Sequence, residues 1–271
     1  MPPDLIGTAG RWRLQARPAM VVEVTAARGS VPREPGTRML VAADEVVGTI
    51  GGGHLELQAI ADARAFLIDC GNDPAPGPQR SQHIALGPTL GQCCGGALDL
   101  RFSRLADIGP ETWTEPPPRF TLQLYGAGHV GRAIVQLLAG LPCRVAWIDE
   151  RESEFPVEPL PPHIERRCIE QVEAEVAGAA AGTLFLVLTH SHALDLRLAH
   201  AIIEHGRFGF FGLIGSKTKR ARFEHRLQAR GCEPSLIARM VCPIGLPGIT
   251  GKEPEVIALA VVAQLLQASA A

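Results

Sequence analysis

Apolar residues fall into short runs in the first hundred positions and into longer, more continuous ones later. Met20-Val21-Val22-Glu23-Val24-Thr25 reads as a strand, followed by Met39-Leu40-Val41, a turn at Asp44-Glu45, and Val46-Val47-Gly48-Thr49-Ile50. Tight links between short strands predict an antiparallel meander. A helix is predicted over Leu55–Phe66, then strands over Ser81–Leu86 and Ala97–Phe102, the latter with period-two alternation. Gly109-Pro110 and Pro116-Pro117-Pro118 block both helix and central strand, so this stretch reads as a linker.

Beyond it the pattern changes. Phe120–Tyr125 is an apolar strand leading into glycines and a helix containing Ala133–Leu138, and Arg144–Asp149 is a second strand. Thr183–Leu188 is near-continuously apolar, as a strand buried on both faces should be. Leu194, Leu198 and Ile202 mark one helix face, Phe208–Gly215 another buried strand, and Glu255–Leu266 a last helix. The fold class is therefore α/β: a small N-terminal α/β domain with a mainly antiparallel sheet (1–105), a proline-rich linker (106–118), and a C-terminal Rossmann-like, doubly wound parallel sheet (119–271).

Composition narrows the function classes. The length of 271 residues suits one large domain or two ordinary ones, 46% of the residues are hydrophobic, enough to fill a core of that size, and the formal net charge of -2 gives no overall drive toward nucleic acid or anionic membrane. The start lacks a basic region followed by an apolar core, and the apolar run near Val256–Leu266 is too short to span a bilayer. Seven cysteines, an odd number and scattered apart from Cys93-Cys94, argue against a disulfide framework and for a reducing cytoplasm.

The strongest motif is Gly126-Ala127-Gly128-His129-Val130-Gly131, the G-x-G-x-x-G spacing between a strand and a helix. Gly126 suits a tight turn, Gly128 close approach of backbone amides to a phosphate, and Gly131 close helix–strand packing. Asp149 ends the next strand, where a ribose hydroxyl is usually gripped. That favours an NAD-like over an NADP-like nucleotide, although Arg151 weakens the preference. His190 and His192 follow a buried strand at its carboxyl end and are candidates for metal binding or proton transfer, with Asp195 to orient one of them. The plainer alternative is that Thr189 or Ser191 only caps the next helix. Ser216-Lys217-Thr218-Lys219-Arg220 puts cations at a helix start, where they oppose the dipole unless an anion such as phosphate is present.

In the first half, Gly51-Gly52-Gly53-His54-Leu55-Glu56 joins a strand to a helix start and suits an anion touched by His54 and Glu56. Its alternative is a tight turn with a capping acid. Gly91-Gln92-Cys93-Cys94-Gly95-Gly96 carries vicinal thiols uncrowded by neighbours. Thiolates there suit a soft metal or a held sulfur atom, and the alternative is a pair of small packing residues.

Taken in order with Thr189-His190-Ser191-His192, Gly212-Leu213-Ile214-Gly215-Ser216-Lys217 and Cys242-Pro243-Ile244-Gly245-Leu246, these motifs resemble the XdhC family (XdhC/CoxI type), the accessory proteins of xanthine dehydrogenase. The resemblance implies a dimeric carrier and chaperone that binds molybdenum cofactor (molybdopterin). It would shield the cofactor while a cysteine desulfurase supplies sulfur, and deliver it to a xanthine dehydrogenase subunit. On that basis Cys93 or Cys94, with Gln92 beside them, would meet the molybdenum. The turns at Gly52, Gly53, His54, Gly126, Gly128 and Gly131, with Ser216 and Lys217, would meet the phosphate. The rival expectation is an NAD(P)-dependent oxidoreductase using Asp149 for the nucleotide and His190 or His192 as acid/base.

Overall fold

The computed structural model describes residues 4–70, 77, 79–86, 95–113 and 117–270. The chain divides into two compact units, Pro2–Glu115 and Pro116–Ala271.

The first unit is a five-stranded, wholly antiparallel sheet between two helices. Its strands are β1 (Ala19–Arg28), β2 (Arg38–Ala42), β3 (Val46–Gly48), β4 (Arg80–Ala85) and β5 (Ala97–Arg104), in the order β3-β2-β1-β5-β4. Alternation assigns each face a helix. Met20, Val22, Val24, Leu98, Leu100 and Phe102 pack under α2 (Gly53–Cys70) through Leu55, Ala59 and Ala63. Val21, Leu40 and Ala42 face the other way, onto Ala9 and Trp12 of α1 (Leu5–Leu14). The hydrophobic pattern does not single out α1. Gly7, Gly10, Arg11 and Arg13 interrupt its apolar positions, and its start is set by Asp4, whose carboxylate accepts the Gly7 amide at 2.8 Å.

Part of the stretch expected as linker belongs to this unit. Leu105–Asp107 and Pro110–Thr112 form short 3-10 turns, and Leu105, Ile108 and Trp113 join the α1 cluster. Proline opens the second turn at a position where its missing N–H costs nothing. The apolar residues between the prolines decide the packing here.

The second unit is a six-stranded parallel sheet of β6 (Thr121–Tyr125), β7 (Arg144–Asp149), β8 (Ile164–Cys168), β9 (Leu184–Val187), β10 (Phe210–Leu213) and β11 (Met240–Val241). The order is β11-β10-β9-β6-β7-β8. Strand order reverses between β6 and β9, which makes that point the ligand crevice of a doubly wound sheet. Neighbouring residues of one strand serve opposite cores, and this is why the strands read as continuous apolar runs. Phe185 and Val187 pack with α5 (His192–His205) and α6 (Lys217–Ala229), while Leu184 and Leu186 pack with α3 (His129–Leu138) and α8 (Pro254–Ala268). The short helices α4 (Ala174–Ala177) and α7 (Pro234–Ala238) complete the first of these layers. Among the described residues no helix is long and apolar enough to cross a membrane.

Candidate functional site

The glycine turn of the second unit has the geometry its spacing predicts. Gly126 has φ +120°, and a β-carbon there would lie 2.4 Å from the Leu188 carbonyl oxygen. A β-carbon at Gly131 would lie 2.1 Å from the Gly126 oxygen, so helix and strand approach as closely as backbone allows. Gly128, at the head of α3, faces open space. The turn is thus closed where it packs and open where an anion would enter.

Asp149 sits at the end of β7 as expected, but its oxygens are already engaged. Oδ2 accepts the Ala127 amide at 2.7 Å and Arg151 Nη2 at 3.0 Å; Oδ1 accepts Arg151 N and Nε, each at 3.0 Å. Burial pushes this carboxyl up, yet the Arg151 side chain and the two amides outweigh it and hold it below the usual range. The space between Tyr125, Gly126, Asp149, Thr189 and His190 has no room even for a water-sized sphere, whereas typical ligand sites enclose roughly 300–1,000 Å³.

Asp195 does not orient a histidine, contrary to expectation. It is buried and accepts the Thr189 amide (3.1 Å), the Thr189 hydroxyl (2.7 Å) and Lys219 Nζ (2.5 Å). Lys219 also donates to the Ile214 carbonyl at 2.8 Å. This network ties the loop after β9 to the loop after β10. Thr189 and Ile214 follow the apolar strands β9 and β10, and Asp195 and Lys219 lie in the first turns of the helices behind them, so each buried charge is balanced by a partner from another element. Lys219 is one of the cations expected to face an anion at this helix start, and the anion it meets is the Asp195 carboxylate. It shares an i, i+4, i+8 row with the buried Phe223 and Leu227, and that spacing is the signal that marks it as inward-facing. His190 lies at the rim, Nε2 3.6 Å from Glu150 Oε1. His192 opens α5 behind Ser191, whose hydroxyl accepts the Leu194 amide at 3.3 Å, so the capping alternative holds for Ser191. Ser216 likewise caps α6, accepting the Lys219 amide at 3.2 Å, and Lys217 is exposed.

In the first unit, the Gly51–Gly53 turn has three consecutive positive φ values, and its inner side is filled by Glu56. Glu56 Oε2 accepts Thr49 Oγ1 at 2.5 Å, the Ile50 amide at 3.0 Å and the Gly52 amide at 3.2 Å. The capping-acid alternative therefore accounts for the Gly52 amide, while His54 is exposed. The turn abuts a basic loop: a β-carbon at Gly51 would lie 2.5 Å from Pro32 Cβ and 3.7 Å from Arg33 Cγ. The same loop meets Gly95-Gly96, since a β-carbon at Gly96 would lie 2.4 Å from the Ser30 oxygen and one at Gly29 3.1 Å from Gly96 Cα. Arg28 and Arg33 are exposed and have no acidic partner among the described residues. Nothing in the spacing of these arginines assigns them a role; their place beside two glycine turns does. Gln92, Cys93 and Cys94 lie outside the described residues, and Cys94 directly precedes Gly95 in sequence. Among the described residues no three His, Cys, Asp or Glu side chains are grouped to hold a metal ion.

Residues 122–265, more than half of the chain, match the model of the XdhC Rossmann domain, and residues 12–72 match that of the XdhC and CoxI family. A relative named uncharacterized protein YqeB, from Escherichia coli K12, is 30% identical over 97% of this chain; the chain spans 46% of that protein's length. A crystal structure described as a xanthine dehydrogenase from Bacillus halodurans superposes with a TM-score of 0.73 at 18% identity. That match covers 97% of this chain and 95% of the other, and so shares the fold. With the glycine turn, the doubly wound sheet and both family models in agreement, the chain belongs to the XdhC family.

Proposed function

We propose that this protein is an accessory factor that carries molybdenum cofactor, supports its sulfuration by a cysteine desulfurase, and delivers it to a xanthine dehydrogenase-type enzyme, working as a homodimer in the cytoplasm. Family membership supports the accessory role. The first unit supports the choice of cargo. The glycine pair that follows Cys93-Cys94 packs on the backbone of the Arg28–Arg33 loop, so soft sulfur donors adjoin in sequence a loop whose two arginines, Arg28 and Arg33, have no acidic partner among the described residues. Thiolates suit molybdenum, and guanidinium suits the cofactor's phosphate. When bound, the cofactor supplies the metal that takes up the terminal sulfur. The protein's part is to hold the phosphate and keep the thiols close. The packing of Gly96 against Ser30 is the observation that carries this assignment.

In the second unit, Gly126, Gly128 and Gly131 retain the form of a nucleotide turn. Arg151 occupies Asp149, and the adjoining crevice is small. That favours a scaffold over an NAD(P)-dependent oxidoreductase.

The test is to produce the protein in cells that make molybdenum cofactor and measure bound molybdenum and pterin, together with activation of cofactor-free xanthine dehydrogenase. The wild-type protein should carry both. Cys93→Ser/Cys94→Ser and Arg28→Ala/Arg33→Ala should each lose most of the load while keeping the same unfolding midpoint. Wild-type protein without molybdenum, or undiminished loading in both variants, would overturn the assignment.

A further inference from the structure

The face of α6 turned to solvent is a second basic surface, one whose arginines the cargo reading does not use. Its exposed residues include Lys217, Arg222, His225 and Arg226 and no carboxylate. The helix's single acid, Glu224, is only partly exposed and already accepts Arg220 Nε at 2.7 Å. Arg222 and Arg226 have no acidic partner among the described residues. Between the long cations stand small residues, Thr218 and Ala221, and the resulting furrow holds about 430 Å³ along Thr218, Ala221, Arg222, His225 and Arg226.

We propose that this furrow docks an acidic helix of a partner protein, one that presents carboxylates a turn apart. Thr218, Arg222 and Arg226 are four residues apart, so the two guanidinium groups stem from points about 6 Å apart along the axis. Glutamates at i and i+4 on a facing helix have the same spacing. Each guanidinium offers a planar fork matched to one carboxylate. The chain as a whole carries a net charge of -2, so this cationic face is a local feature rather than a share of a general positive charge. A single phosphate would leave most of the furrow empty. Single-stranded nucleic acid would need exposed aromatic rings to stack on, and the only phenyl ring of α6, that of Phe223, is buried. The surface stands independently of the molybdenum cargo.

Fluorescence anisotropy of the full chain with a labelled helical peptide carrying glutamate at every fourth position tests the surface, with its glutamine counterpart as reference. The glutamate peptide should bind, the glutamine peptide should not, and binding should weaken as salt is raised. Arg222→Ser/Arg226→Ser should weaken binding about tenfold, whereas Arg119→Ser/Arg144→Ser, which removes the same charge elsewhere on the same unit, should leave it unchanged. Arg222→Glu/Arg226→Glu should instead take the lysine version of the peptide. Equal binding of the glutamate and glutamine peptides, or full binding by the serine variant, would overturn the proposal. So would displacement of the peptide by equimolar inorganic phosphate, or tighter binding of oligo-dT lost in that same variant.

Discussion

Lys219 Nζ lies 2.5 Å from Asp195 Oδ2, with both side chains buried. Asp195 holds Thr189 with its other oxygen, and Lys219 holds the Ile214 carbonyl. One ion pair therefore fixes two loops at the carboxyl edge of the parallel sheet. Lys219→Met leaves a buried carboxylate without its cation and should cost about 3–5 kcal/mol in urea unfolding. Adding Asp195→Asn should recover part of that loss, because asparagine keeps an acceptor for Thr189 and leaves no charge behind. A Lys219→Met variant as stable as wild type would show that the pair is not a structural clamp.

Asp149 gives the second unit an acid-sensitive anchor. Burial works to raise its pKa, but the Arg151 side chain and the Ala127 and Arg151 amides prevail, and the folded-state value lies below the unfolded one. Its contribution is therefore fully present above the unfolded carboxyl range, near about pH 4, and is lost as pH falls through the lower folded value. Unfolding midpoints measured on the acid side should fall more steeply for wild type than for Asp149→Asn. Parallel acid limbs for the two proteins would contradict this.

Glu56 gathers three donors on one oxygen. Glu56→Ala strands the Ile50 and Gly52 amides and the Thr49 hydroxyl, at a cost of about 1–3 kcal/mol. Glu56→Gln, which keeps one acceptor oxygen, should cost less. Gly51→Ala should be harmful for a different reason: its φ is +126°, and the added carbon would lie 2.5 Å from Pro32 Cβ. Denaturant midpoints of the three variants separate the lost hydrogen bonds from backbone strain.

The thiols should divide by environment. Burial pushes Cys143 up to about 11 and raises Cys242 as well, so both should resist a thiol reagent in the folded protein. Cys168 is exposed and should label readily, although its thiol is also raised, by residual burial and by the Glu152 carboxylate. Mass mapping after brief labelling reads this directly, and early modification of Cys143 or Cys242 would contradict the packing.

Much of the architecture was legible in the order of residues. Strand–glycine–helix at Phe120–Leu138, the apolar run Thr183–Leu188 and the alternation of Ala97–Phe102 each reflect a local rule that tertiary structure respects. The roles of Gly126 and Gly131 were legible too, because backbone-to-backbone contact tolerates no other residue. Helix α1 is not legible in the hydrophobic pattern because its stability comes from a cap and from Trp12 packing rather than from a strong apolar period.

What the chain determined by itself is the pair of sheets in outline, most of their helical cover and the glycine turns at Gly51–Gly53 and Gly126–Gly131, since these follow from short-range periodicity and steric limits. Only the tertiary structure decided which polar groups are already spoken for. Glu56 fills its own turn, Arg151 covers Asp149, and Lys219 rather than a histidine meets Asp195, whereas Arg222 and Arg226 remain without an acidic partner among the described residues. Pairing of charges depends on which side chains from separate elements arrive at one buried place, and spacing along the chain does not encode that meeting.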